Sequence, residues 1–186
     1  MLTLELKKNK LVNCDGIKNL KMLRELYLNE NKISDISGLT DLPMLKKLDL
    51  NTNKISAMTS LPSLPCLEEL DLSNNLIADD KCLPYFGSFK NLKTLVLTGC
   101  PYAEEKGDGL KSEVLVILGT VLNIQKVNED EVTKDDRDAA KEEREAREKA
   151  RKEAEEEAKR VEEERLAVEA EARAAGKAGA EEPAED

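Results

Sequence analysis

The sequence predicts an α/β solenoid, with short parallel strands on a concave face, followed by a long single α-helix. Three observations predict it. A leucine-based pattern recurs every 22 residues over the first part of the chain. Within each copy, two leucines stand at i and i+2, the spacing of a strand with one buried face. Beyond Asn128 the composition turns abruptly to Ala, Glu, Lys and Arg, with opposite charges at helical spacing.

Written as L-x-x-L-x-L-x-x-N-x-L, the pattern starts at Met1 with Leu4, Leu6, Asn9 and Leu11. It returns at Leu23 (Leu26, Leu28, Asn31, Ile33), Leu45 (Leu48, Leu50, Asn53, Ile55) and Leu67 (Leu70, Leu72, Asn75, Ile77). A fifth copy starts at Leu92 with Leu95 and Leu97, after three extra residues, and has Cys100 in the asparagine position. The L-x-L core is a short strand, and stacked copies pair these strands in parallel. The asparagine closes the strand, where its amide is expected to satisfy backbone groups that water cannot reach. Cys100 fills the same slot through a weaker thiol hydrogen bond.

The second half of each copy carries apolar residues three apart: Cys14, Ile17, Leu20; Ile36, Leu39, Leu42; Met58, Leu61, Leu64. That spacing suits a 3₁₀ or extended turn. Leu83, Phe86 and Phe89 continue the series, so both phenylalanines belong to the core. From Ser112 to Val127 the chain predicts an apolar helix, with Val114, Leu115, Leu118, Val121 and Leu122 at helical spacing. It closes on a half-copy in which Ile124 and Val127 take the first and fourth positions, a C-terminal cap. No such cap precedes Leu2, Leu4 and Leu6. Their strand is expected to be an open edge that a partner covers.

Charge divides the chain. Up to Asn128 there are 16 Lys+Arg and 16 Asp+Glu; from Glu129 onward there are 13 and 23, so the net −10 lies in the tail. The domains expected are therefore a repeat domain with its cap over 1–128, a charged helical tail over 129–175 and a disordered acidic terminus over 176–186. Thr133-Lys-Asp-Asp136 matches a capping box, with Asp135, Asp136 and Asp138 suited to the helix N-terminus. Glu143–Arg147, Glu145–Lys149, Glu148–Lys152, Glu155–Lys159 and Glu156–Arg160 are spaced i,i+4 in the favourable order. Ala154, Val161 and Val168 lie seven apart, but Arg165 and several glutamates interrupt a second coiled-coil seam. A solvated helix is expected, with Val161, Leu166 and Val168 as its partner contact.

Several functions are excluded or disfavoured by residue type. The chain has no histidine, so Ser-His and Cys-His nucleophiles are absent. Lys106-Gly-Asp-Gly109 is too short for a phosphate loop. Cys14, Cys66, Cys82 and Cys100 include no CxxC pair and no basic cluster that would make a reactive thiolate. No enzyme, cofactor, metal or small-molecule substrate is expected. The opening Met1-Leu-Thr-Leu-Glu-Leu-Lys-Lys lacks the pattern of a secretory signal, and no segment has the length of a membrane span. An acidic rod is a poor ligand for nucleic acid. The expectation is a soluble, reduced, intracellular chain.

The strict 22-residue copies and their I-x-x-I-x-x-L-x-x-L phase resemble the phosphatase-regulator class of leucine-rich repeats. That class includes a spliceosomal protein, acidic nuclear phosphoproteins and ciliary axoneme proteins. Beyond Leu92 the run L-x-x-L-x-L-x-G-C-P, an acidic loop, S-E-V-L-V-I-L, N-I-Q-K-V-N and E-D-E-V-T-K-D-D-R-D-A-A-K-E-E-R-E is similar to the leucine-rich-repeat proteins of axonemal radial spokes. The resemblance implies a leucine-rich-repeat horseshoe that docks protein partners on its concave sheet. Here the columns between the core leucines are Arg24, Lys46, Glu68 and Lys93; Glu25, Lys47, Glu69 and Thr94; and Tyr27, Asp49, Asp71 and Val96, with Tyr27 as an anchor. It also implies a place among other proteins of a multi-subunit assembly in the cytoplasm, cytoskeleton and cilium or flagellum. A nuclear adaptor, of splicing or histone-binding type, and a phosphatase regulatory subunit are the alternatives. Histone-binding tails are almost pure Asp/Glu, whereas this one interleaves basic residues at helix-stabilising spacing.

Overall fold

The computed structural model describes residues 2–57 and 62–178, with side chains as far as Val168. Met58 and Leu61 of the third apolar series, and the terminus from Gly179, lie outside the described residues. The chain divides into two compact units, Met1–Glu143 and Arg144–Asp186.

In the first unit each copy contributes one three-residue strand: β1 Thr3–Glu5, β2 Glu25–Tyr27, β3 Lys47–Asp49, β4 Glu69–Asp71 and β5 Thr94–Val96. They pair in parallel in chain order, with Leu4, Leu26, Leu48, Leu70 and Leu95 level with one another. The register is that of the leucine template, because a one-residue slip would move every leucine to the solvent face. Two short strands, β6 Lys126–Val127 and β7 Asp130–Glu131, complete a sheet that is seven-stranded among the described residues. Val127 lies level with Leu95, as the half-copy predicts, and β7 turns back antiparallel on β6.

The asparagines form a buried ladder. Asn53 donates through Nδ2 to the carbonyls of Leu28 (3.1 Å) and Leu50 (2.9 Å), while its Oδ1 accepts from Ile33 N (3.0 Å). Asn31 and Asn75 repeat the arrangement one copy either side. In the fifth copy the Cys100 thiol donates to the Leu72 carbonyl at 3.2 Å, the role expected for it. The residue before each ladder position has a left-handed backbone: Lys8, Glu30, Thr52 and Asn74 have φ of 58°, 56°, 54° and 54°, and Gly99 has 72°. A side chain costs roughly 1–2 kcal/mol there, which the ladder must offset. Gly99 takes this backbone without that cost, and a Cβ there would also push the Asn74 side chain aside, its Oδ1 lying 2.3 Å away.

The apolar triplets form isolated turns closed by i→i+3 hydrogen bonds, as at Ile17 N to Cys14 O and Leu39 N to Ile36 O, both near 3 Å. Among the described residues, only the lengthened copy winds further, through a 3₁₀ turn at Asp80–Cys82 into α1, Leu83–Phe86. Leu83, Phe86 and Phe89 are buried there, with the phenylalanine centroids 6.4 Å apart.

Two expectations at the C-terminal end need correction. The acidic loop after Cys100 is instead a helix, α2 Pro101–Lys106, started by a proline that lacks the N–H a first helical turn leaves unbonded. Its Tyr102 and Ala103 are buried. The next helix, α3, spans Leu110–Leu118, earlier than the apolar pattern suggests. Gly119 ends it, so Val121 falls outside and is 47% exposed, while Leu122 is buried in the return to β6.

The capping box forms at the start of the long helix α4, Lys134–Ala178. Asp136 N donates to Thr133 Oγ1 (3.2 Å), and Thr133 N donates back to Asp136 Oδ2 (2.8 Å). Lys111 Nζ joins the same carboxylate at 3.0 Å. Within the first unit, Arg137 donates to the Ile124 carbonyl (2.7 Å) and Ala140 is buried against the core. Farther along, Glu148 and Lys152 pair as expected at 2.8 Å, and Lys149–Glu153 and Arg151–Glu155 add pairs of reversed order. Each contributes a few tenths of a kcal/mol.

Candidate functional site

The pleat places Leu26, Leu48, Leu70 and Leu95 in the core and turns the residues on either side of each outward, so the second and third anticipated columns share one face, while the first column lies just before the strands. The first column is joined across strands: Glu68 accepts from Lys46 Nζ and Lys93 Nζ, both at 2.7 Å. Those two ammonium groups, Lys46 first, hold the Glu68 carboxyl down at about 2. Arg24, exposed at the head of this column, bonds through its backbone N–H to the Leu2 carbonyl (2.8 Å). In the second column Lys47 pairs with Glu69 at 2.8 Å, and Glu25 accepts weakly from the Tyr27 hydroxyl at 3.3 Å. Exposed pairs of this kind add less than about 1 kcal/mol each, but they fix which charges are already neutralised.

The third column differs. Tyr27, Asp49 and Asp71 stand level on adjacent strands, with Val96 beyond them. Asp49 Oδ1 accepts from Asn51 N (3.0 Å) and Asp71 Oδ1 from Ser73 N (2.9 Å). Neither carboxylate closes an ion pair among the described residues: Lys47 pairs with Glu69 and Lys7 with Glu5, and both lysines act on Asp49 only at longer range. Burial raises the Asp49 carboxyl above its ordinary range, and the Asp71 charge adds to the rise. Tyr27, Lys47, Asp49, Glu69, Asp71, Thr94 and Val96 surround a depression over the strands at Leu48 and Leu70, whose side chains face the core. The structure thus brings the third column together with half of the second, and sets the first column outside that depression. Asn51 and Ser73, which bond each other and brace the two aspartates, escaped the sequence reading. The signal was their common place two residues after each aspartate.

The other anticipated surfaces are separate. Leu2 is 55% exposed, while Leu4 and Leu6 are half-buried against the core. The amides at the two latter positions do not report on the open edge: Leu6 N already donates to the Tyr27 carbonyl at 2.8 Å. Since Glu25 N donates back to the Leu2 carbonyl (3.0 Å), the equivalent outward amide of β1 belongs to Thr3. Val161, Leu166 and Val168 are exposed on α4. The thiols of Cys14 and Cys82 are pushed up to about 12 by burial, and that of Cys100 is raised for the same reason, so none is a reactive thiolate near neutral pH. No described helix is long and apolar enough to cross a membrane.

A family model for leucine-rich repeats in two copies matches residues 21–63 and again 43–85. An internalin from Listeria monocytogenes is similar in structure, with a TM-score of 0.54 and 28% identity over 68% of this chain. The chain spans about a third (34%) of that structure's length. No curated protein matches the sequence.

Proposed function

We propose that this chain, a leucine-rich-repeat protein, is a non-catalytic scaffold that docks another protein on its concave sheet. The observation that carries the reading is the depression around Asp49 and Asp71, a half-buried face that combines two carboxylates outside any ion pair among the described residues with an aromatic and an aliphatic flank. Protein interfaces favour such an aromatic anchor within a polar setting. An open groove of this kind lacks the closed pocket that catalysis uses to shift carboxylate pKa values far.

The finer assignment is to a multi-subunit assembly, specifically a structural subunit of a ciliary radial spoke. Its support is the ordered resemblance beyond Leu92 and the 45-residue charged helix Lys134–Ala178, suited to spanning between neighbours. Val161, Leu166 and Val168 are its contact on that helix.

Reversing both aspartates, Asp49→Lys with Asp71→Lys, should abolish capture of the native partner while leaving thermal unfolding within a few degrees of the parent. Co-purification followed by mass spectrometry measures the first and a melting curve the second. Retained capture would remove the groove from the docking surface, and equal loss of stability would trace the effect to unfolding.

The edge at Leu2, Leu4 and Leu6 is a second docking surface in this reading, because Leu2 is exposed and covering it would recover up to roughly 1.5–3 kcal/mol of burial, with less from the half-buried Leu4 and Leu6. Thr3 should exchange its amide rapidly in the free chain and slowly in the assembly, with Leu6 slow in both. Slow exchange at Thr3 in a monodisperse free monomer would show that the edge needs no partner.

A further inference from the structure

Each copy reaches back to the one before it through three sets of hydrogen bonds. The strand N–H groups of Glu25, Lys47, Glu69 and Thr94 donate to the carbonyls of Leu2, Arg24, Lys46 and Glu68, at 2.9–3.0 Å. The ladder oxygens, Oδ1 of Asn31, Asn53 and Asn75, accept from the N–H groups of Leu11, Ile33 and Ile55, at 3.0–3.1 Å. One residue later, Lys32, Lys54 and Leu76 donate to the carbonyls of those same three residues at 2.8 Å. The first copy carries the same groups in the same places, Thr3 N, Asn9 Oδ1 and Lys10 N, and none is bonded among the described residues. They are already in position. Asn9 donates through Nδ2 to the carbonyls of Leu6 (2.9 Å) and Lys7 (3.1 Å), as Asn53 does to Leu50 and Asn51. Lys8 has the left-handed backbone of the other ladder turns, with φ of 58°. Leu2 and Val12, which bracket these groups along the chain, are 55% and 58% exposed.

From this unfilled set we infer that the edge of β1 receives a further copy of the leucine pattern, stacked in parallel and supplied by the protein partner. The inference rests on this edge being a docking surface, and names its occupant. It continues the interface that joins each successive pair of copies, β1 to β2 through β4 to β5. An antiparallel strand, including β1 of a second copy of this chain, would pair with the outward groups of β1 alone. It would leave Asn9 Oδ1 and Lys10 N open, because they lie beyond the left-handed turn at Lys8, where the strand has ended. Head-to-tail stacking of a second copy is closed off as well. The far edge of the sheet is β7, which runs antiparallel to β6 and offers no parallel neighbour.

Amide hydrogen exchange tests this in two settings. One is the full chain extended by a duplicate of its own residues Leu23–Met44, fused ahead of Met1 so that the 22-residue period is kept. The other is the native assembly purified through the full chain. In both, the amides of Thr3 and Lys10 should exchange about a hundredfold more slowly than in the free chain, with Leu6 slow throughout. Asn9→Ala should barely move the urea midpoint of the free chain. In the extended chain it should lower the midpoint as far as Asn31→Ala does in the free chain, and it should weaken partner capture about tenfold. Thr3 slow with Lys10 still fast in the assembly would mean that an antiparallel strand or a second copy of this chain sits there. The docking edge would then stand and the leucine-copy occupant fall. Both amides fast in the assembly would remove the edge from the docking surfaces, and the proposal with it. No slowing in the extended chain, or capture unaffected by Asn9→Ala, would overturn the proposal directly. Should the extended chain fail to fold, the assembly measurement decides alone.

Discussion

Asn75→Ala should lower the free energy of unfolding by about 3–5 kcal/mol. Asn75 is 2% exposed, and four hydrogen bonds converge on its amide. Truncation leaves Ile55 N and the carbonyls of Leu50 and Leu72 buried without that partner, and each such group costs roughly 1–3 kcal/mol. Because these groups belong to two successive copies, the loss loosens the contact between neighbours on which a solenoid's stability depends. Asn75→Cys should cost less, since the equivalent Cys100 thiol reaches the Leu72 carbonyl at 3.2 Å. Asn9→Ala is the control: Asn9 is exposed and bonds only the carbonyls of Leu6 and Lys7, so its loss should stay under about 1 kcal/mol. Urea unfolding measures all three. Near-equal costs at Asn75 and Asn9 would mean that burial does not set the value of the ladder.

The second large effect lies in the lengthened copy. Phe86→Ala should destabilise by about 3–5 kcal/mol, from lost burial plus the cavity left behind. Phe86 is fully buried, its ring stacks on Phe89 at 6.4 Å, and its carbonyl accepts from Phe89 N (2.9 Å) to start the turn leading to Leu92. The short helix α1 also packs against α3, so a cavity there weakens the join between the repeats and their cap. Tyr85→Ala, beside it but half exposed, should cost far less. The same urea series distinguishes them. A loss below about 1 kcal/mol at Phe86 would show that the site collapses without penalty and that the ring is no core element.

The sequence by itself determined the repeat register. A 22-residue period with leucines at i and i+2 has only one strand alignment that buries them all, and the observed pairs Leu4, Leu26, Leu48, Leu70 and Leu95 are that alignment. It determined the asparagine ladder and its cysteine substitute for the same reason, and the capping box because Thr133 and Asp136 meet within one helical turn. The second and third columns were equally legible, being the outward residues of the same strands, with the first column immediately before them. Tertiary structure alone decided what happens between them. That Glu68 takes both Lys46 and Lys93, while Lys47 pairs with Glu69, depends on side chains choosing among neighbours on either side. It also decided the fate of the cap. Apolar residues at helical spacing continue past Leu118, but the chain must turn at Gly119 to bring Ile124 and Val127 onto β5, and that turn exposes Val121 and buries Leu122. Contacts within one turn or one repeat are encoded by spacing; choices among partners many residues apart are settled only when the strands stack.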